Sequence, residues 1–270
     1  MTPPHLHCHH WDASSSEAPT WILLHGFIGS GADFDILASH WEGRPQLIAP
    51  DLPGFGLSAP PDSPPNLDHL CSCLLPLIKK RPSPPLLLGY SMGARLALGF
   101  AVKHPQRIRG LTLVGGTAGI PDASHRKERR LHDQTWIDLI QTSGTENFLE
   151  QWQKQAVIQS QLSVKQPWRN AMLARRQQLK PEVLAKYLSA FGTGSMPSLW
   201  SELKHLELPT LLLTGAGDNK FNLIAKDMEG KLPHATHVSL LNCGHAAVFE
   251  QPASCAQALH QWSASIPSPA

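Results

Sequence analysis

Nowhere in this 270-residue sequence do 18 apolar residues follow one another, so no membrane-spanning helix is expected. The opening Met-Thr-Pro-Pro-His has no basic stretch leading into an apolar one, so no secretory signal is expected. Cysteine is sparse. The five (Cys8, Cys71, Cys73, Cys243 and Cys255) are odd in number and scattered, and Cys71-Ser72-Cys73 is too tight for a zinc or redox pair. Reduced thiols in the cytoplasm are the simplest expectation. An excess of one charge is missing too. Lys plus Arg number 23 and Asp plus Glu 21, a net of +2, which gives no reason to expect nucleic acid or an anionic membrane as partner. No internal repeat is present.

What is present is a chain that is 41% hydrophobic, enough for one substantial core. Short apolar runs at Trp21 to Leu24, Leu47 to Ala49, Leu86 to Leu88, Leu111 to Val114, Leu211 to Thr214 and Val238 to Leu241 read as buried strands. Gly, Pro, Asp or Asn bounds them. Helical spacing falls between them, as in Ala94 to Lys103 and Ser254 to Trp262. Alternating strand and helix predicts an α/β domain with a mostly parallel sheet covered on both faces. Pro60 to Pro65 and Pro82 to Pro85 read as loops. From 120 to 200 the rhythm breaks into helical patterning without strands. That stretch has eleven basic and seven acidic residues, while the rest has twelve and fourteen. The expectation is a core of 1–119 and 201–270 in a single folding domain, with a basic helical cap at 120–200 that attracts an anion. A solvated helical face is the plainer reading of the same charges. The run His5-Leu6-His7-Cys8-His9-His10 contains metal-ligand types, but no matched ligands follow at metal-site spacing, so a strand with a polar face is expected and no metal.

Leu86-Leu87-Leu88-Gly89-Tyr90-Ser91-Met92-Gly93-Ala94-Arg95 carries the most information. An apolar strand runs into Gly-x-Ser-x-Gly, and a helix of small residues follows. That is the nucleophile elbow of the α/β-hydrolase fold. There the acid and the histidine follow the serine in that order. Asp218 ends a strand in Ala216-Gly217-Asp218, and His245 follows the next strand in Asn242-Cys243-Gly244-His245. A Ser91–His245–Asp218 triad is predicted. The turn His25-Gly26-Phe27 supplies one oxyanion N–H in this fold and the residue after the nucleophile the other, which assigns Phe27 and Met92. His25 is expected to be a structural hydrogen-bonder, and Pro50 to Gly56 a shaping loop.

Further motifs narrow the reading. Arginine stands four residues after the serine, and Gly116-Thr117-Ala118-Gly119-Ile120 follows the next strand. Then come Arg126-Lys127-Glu128-Arg129-Arg130-Leu131-His132-Asp133, Phe148 to Trp152, Phe191-Gly192-Thr193-Gly194-Ser195-Met196-Pro197-Ser198-Leu199-Trp200, and Gly215-Ala216-Gly217-Asp218-Asn219-Lys220-Phe221. Over nearly the whole chain the sequence resembles the succinyl-hydroxy-cyclohexadiene-carboxylate synthases of menaquinone and phylloquinone biosynthesis. It departs at Ala94, where a second glycine is usual, at Thr117-Ala118-Gly119, and at Gln153. The resemblance implies a lyase that eliminates pyruvate from 2-succinyl-5-enolpyruvyl-6-hydroxy-3-cyclohexene-1-carboxylate, with Ser91 as the base and no cofactor. It implies that Arg95, Arg129 and Arg176 hold the carboxylates of this small anionic substrate, with Tyr90, Trp152 and Lys220 in the pocket. Plainer readings exist. Arg95 suits a helix-surface salt bridge, Arg129 and Arg176 suit solvated positions, and Trp152 and Trp200 suit a core. The same triad also serves a serine esterase or carbon–carbon hydrolase, and the fold also serves non-catalytic binding proteins.

Overall fold

The computed structural model describes residues 5–14, 18–61 and 63–267. Seven strands form one sheet: β1 (Cys8–Trp11), β2 (Thr20–Leu24), β3 (Gln46–Pro50), β4 (Leu86–Tyr90), β5 (Gly110–Val114), β6 (Thr210–Gly215) and β7 (Ala235–Leu240). Their order is β1-β3-β2-β4-β5-β6-β7. Only β1 runs antiparallel, pairing Cys8 with Pro50 and Trp11 with Leu47.

The strands are apolar without alternation because both faces are covered. Period-two geometry sends neighbours to opposite cores. Ile22, Leu24 and Leu87 join the core on one side of the sheet, and Trp21, Leu23, Leu86 and Leu88 join the core on the other. Helices α1 (Asp35–Ser39) and α2 (Leu67–Lys79) follow β2 and β3, and α3 (Met92–Lys103) follows β4. Between β5 and β6 lie α4 (Ala123–Trp152), α5 (Ala156–Gln159), α6 (Trp168–Gln177) and α7 (Pro181–Phe191), with no strand among them. Then come α8 (Asn219–Glu229), α9 (Ala247–Glu250) and α10 (Pro252–Ala264). Helix α4 is broken at Gly144, whose φ of 73° lies in the left-handed region that glycine enters freely.

The strands stand where the apolar runs placed them, with one difference at the edge. The run at Val238 to Leu241 is not a buried strand. In β7 only Leu240 is buried, and Leu241, 74% exposed, belongs to the following turn. As the last strand of the sheet, β7 is covered incompletely. From β2 the chain runs outward to β3 on one side, and from β4 it runs outward to β5 on the other, so the carboxyl ends of the neighbouring strands β2 and β4 flank a topological switch point. Ligands of open α/β sheets bind there.

Candidate active site

Strand β4 ends at Tyr90, and α3 starts at Met92 with no linker between them. Ser91 makes the whole turn at φ 54° and ψ −110°. A non-glycine residue held at positive φ costs about 1–3 kcal/mol, so its surroundings must enforce it. The Ser91 N–H donates to the Val114 carbonyl at 2.8 Å, and the crossing of strand and helix leaves no room for side chains two residues to either side. A Cβ on Gly89 would collide with the Gly93 carbonyl, and one on Gly93 with that of Leu24. This is why the sequence reads Gly-x-Ser-x-Gly.

His245 comes to the serine from the loop after β7. Its Nε2 lies 3.0 Å from Ser91 Oγ, and its Nδ1 lies 2.7 Å from Asp218 Oδ2. The other Asp218 oxygen accepts the Phe221 N–H at 3.2 Å. With Nδ1–H donating to the carboxylate, Nε2 is free to accept the serine proton. The Phe221 ring packs 4.5 Å from the imidazole, and Asp218 and His245 are both buried. The sequence reading missed one support. The Glu250 carboxylate accepts the Gly244 N–H at 2.7 Å and the Ala246 N–H at 2.9 Å, gripping the backbone on either side of His245.

Phe27 follows β2 in a turn closed by the Gly29 N–H on the Gly26 carbonyl at 3.1 Å. Met92 is the first residue of α3, where backbone N–H groups have no partner within the helix. His25 fastens the Phe27 turn. Its Nδ1 donates to the Gly26 carbonyl at 2.9 Å and its Nε2 accepts the Leu52 N–H at 3.0 Å. Complete burial holds its pKa below the ordinary histidine value, which suits the neutral ring these two bonds require. Asp51 fastens the next stretch, accepting from Ser30 Oγ and the Gly31 N–H, both at 2.8 Å.

The serine opens on a cavity of about 440 Å³. Phe27, Tyr90, Ser91, Met92, Arg95, Arg129, Trp152, Lys220 and His245 all line it, and Asp218 stands behind His245. Arg176 does not line it. That guanidinium is buried and donates to Gln161 Oε1 at 2.6 Å, and Gln161, a lining residue, donates in turn to Tyr90 Oη at 3.3 Å. Nothing in the residue types around Gln161 foretells this bridge.

Arg95 makes no surface salt bridge. It is half-buried, one of its terminal nitrogens donates to the Phe191 carbonyl at 2.7 Å, and its Nε, shielded from solvent, finds no acceptor among the described residues. Burial first, and the neighbouring Arg129 second, lower its pKa to about 10, so it stays charged at neutral pH. Arg129 pairs with the buried Asp133 at 2.7 Å while also facing the cavity. Trp152 serves both core and wall. It is 8% exposed, and it packs edge-on against Phe27 at 5.3 Å. The arrangement therefore joins a nucleophile or base, two backbone donors and two arginines around one space.

The model of the alpha/beta hydrolase family matches residues 21–258. A 2-succinyl-6-hydroxy-2,4-cyclohexadiene-1-carboxylate synthase from Salmonella schwarzengrund (strain CVM19633) is 31% identical over 95% of this chain and 98% of its own. A relative from Bacillus subtilis (strain 168) is 35% identical over 62% of this chain and 61% of its own. The solved structure of MenH from S. aureus superposes with a TM-score of 0.89 at 29% identity, covering 95% of this chain and 97% of that one. An esterase from Thermogutta terrifontis, at 21% identity and a TM-score of 0.77, shares the fold.

Proposed function

Since the chain belongs to the alpha/beta hydrolase family and, within it, to the 2-succinyl-6-hydroxy-2,4-cyclohexadiene-1-carboxylate synthases, we propose that it is the lyase that eliminates pyruvate from 2-succinyl-5-enolpyruvyl-6-hydroxy-3-cyclohexene-1-carboxylate in menaquinone or phylloquinone biosynthesis. The observation that carries this reading is the pair of arginines, Arg95 and Arg129, on the wall of the cavity that holds Ser91. Arg129 already pairs with Asp133, but Arg95 forms no ion pair among the described residues and its Nε is shut off from solvent without an acceptor, and arginine matches carboxylates in a fork. The substrate carries three carboxylates. A pocket for a neutral ester has no use for such a wall.

The reaction moves one double bond and makes another, from a 3-ene to a 2,4-diene. Ser91, deprotonated toward His245, takes the proton at C2, beside the succinyl carbonyl. Negative charge spreads onto that carbonyl, where the Phe27 and Met92 N–H groups stabilise it. The electron pair then shifts to form the C2–C3 double bond, the ring alkene moves to C4–C5, and the C5–O bond breaks. Enolpyruvate leaves and takes up a proton to become pyruvate. No water is consumed and no acyl-enzyme forms. Asp218 keeps His245 in the required tautomer. Arg95 and Arg129 hold carboxylates directly, Arg176 acts through Gln161, and Tyr90, Trp152 and Lys220 complete the wall. Residues 120–200 act as the cap whose net positive charge draws the substrate in. The five unpaired cysteines suit a reducing compartment, and we assign the enzyme to the cytoplasm. No helix among the described residues is long and apolar enough to cross a membrane.

Two assays on three proteins test this reading. Pyruvate release from the enolpyruvyl substrate and hydrolysis of a neutral p-nitrophenyl ester are measured for the wild type, Arg95→Ala and Arg129→Ala. Each alanine should cut kcat/KM for pyruvate release by roughly ten- to a hundredfold, the loss of a charge-assisted hydrogen bond, and leave any ester hydrolysis unchanged. Equal effects on the two substrates would sink the anion-binding role.

A further inference from the structure

The sequence alone offered no partner for the histidine run near the N-terminus. The fold supplies one. His7 and His9 are two residues apart, so their side chains share a face of the extended chain. Antiparallel pairing sets Cys8 opposite Pro50, and the Asp51 N–H donates to the His7 carbonyl at 2.9 Å. Asp51 therefore projects toward both histidines. One ligand atom from each of His7, His9 and Asp51 lies within 4.8 Å of the others. The cluster stands apart from the triad, and the proposed reaction makes no use of the two imidazoles.

We propose that His7, His9 and Asp51 form a binding site for a divalent transition metal of the zinc class. The donor set of two imidazoles and one carboxylate suits Zn²⁺ and not the all-oxygen preference of Mg²⁺ or Ca²⁺. The spacing also suits it. His9 Nε2 and Asp51 Oδ2 lie 3.2 Å apart. Tetrahedral zinc with bonds of about 2.0–2.2 Å holds neighbouring ligand atoms roughly 3.3–3.5 Å apart, so His9 and Asp51 need move little for the ion to take the place of the proton between them, and His7, whose ligand atom lies within 4.8 Å of both, closes in by a side-chain rotation.

The carboxylate is already oriented for this. Ser30 Oγ and the Gly31 N–H hold Oδ1, and the Leu57 N–H holds Oδ2 at 3.0 Å. These bonds remain when the proton on His9 is replaced, and they would then serve as the outer shell that fixes a ligand's direction. Three protein ligands leave one position open. His9 and Asp51 border a second cavity of about 630 Å³, which gives the ion a path in and an exogenous fourth ligand room to bind.

The test uses the full chain without a histidine tag, stripped with a chelator and titrated with Zn²⁺ by calorimetry at neutral pH. Co²⁺ serves as the spectroscopic substitute. The proposal expects one ion per chain and a visible Co²⁺ spectrum of low-coordinate type. His7→Ala and His9→Ala should each weaken binding by more than about 100-fold, beyond the roughly 10- to 100-fold that loss of an outer-shell partner costs. His10→Ala, an exposed member of the same run, should bind as the wild type does. His7 is partly exposed, so His7→Ala should melt as the metal-free wild type does, whereas His9→Ala also loses its bond to the buried Asp51 and should melt somewhat lower while remaining folded, so its affinity is read below its own melting transition. Absence of saturable heat, unchanged affinity in His7→Ala and His9→Ala, or loss of binding in His10→Ala would each overturn the site.

Discussion

At the scale of single residues, the site holds both backbone strain and unmet polarity. Ser91 sits at positive φ, and the half-buried Arg95 keeps a solvent-shielded Nε without an acceptor. Such departures cost stability, and they cluster where a ligand or a reaction repays them. The serine hydroxyl itself contributes little packing, because Ser91 is partly exposed at the cavity floor. Ser91→Ala should therefore fold and melt like the wild type and lose about 10⁴-fold or more in turnover, as removal of one member of a cooperating triad does. Near-normal pyruvate release from this variant would move the base to another group.

At the scale of elements, the serine's position depends on how closely β4 and α3 approach. An alanine at Gly89 would press its Cβ into the backbone of Gly93 and Ala94. Flexible side chains could yield, but backbone atoms at a helix start cannot. Gly89→Ala should lower stability by about 3 kcal/mol or more, the upper range for overpacking, and urea unfolding midpoints would measure it. An unchanged midpoint would mean that the turn is far softer than its geometry suggests.

The same scale explains what could be read from the sequence. Strands β2 to β6 were legible because strands covered on both faces need unbroken apolar runs. The elbow was legible because collisions at Gly89 and Gly93 leave a local mark. Ser91, Asp218 and His245, which the fold brings together with the imidazole within hydrogen-bonding distance of both partners, were picked out by their order and by their places after strands. Residues whose roles depend on distant partners left no such mark. Gln161 bridges Arg176 to Tyr90, which lies 71 positions away, and His9 meets Asp51 across 42. Nor did spacing reveal that Arg176 stands one residue back from the cavity, or that Glu250 grips the backbone beside His245.

At the scale of the whole molecule, pH should act on stability through the buried imidazole under the Phe27 turn. Burial lowers the folded pKa of His25, while in the unfolded chain the ring titrates near 6.5. Below about pH 6.5 the unfolded chain thus binds a proton that the folded chain refuses, so stability falls as the pH drops. His237, also held low by burial, adds to the same trend. Asp51 works further down. Burial opposes its charge, but hydrogen bonds from His9, Leu57, Ser30 and Gly31 hold it below the usual carboxylate range. Its share is lost only as the pH falls below about 4. The urea midpoint should be lower at about pH 5.5 than at about pH 7.5, and His25→Gln should flatten part of that slope. Identical slopes in the two proteins would assign the dependence elsewhere.

The central claim is the class of reaction: an elimination on a fold better known for hydrolysis. The two leave different products behind. Elimination produces a conjugated diene with every pyruvate, whereas hydrolysis of the enolpyruvyl group releases pyruvate and leaves the ring with its single alkene. The decisive measurement follows near-ultraviolet absorbance of the ring and enzymatically coupled pyruvate together, with purified protein and the enolpyruvyl substrate. Equal rates, one diene per pyruvate from the first turnover onward, are the predicted result. Pyruvate appearing without the diene would contradict the account and make the protein a hydrolase.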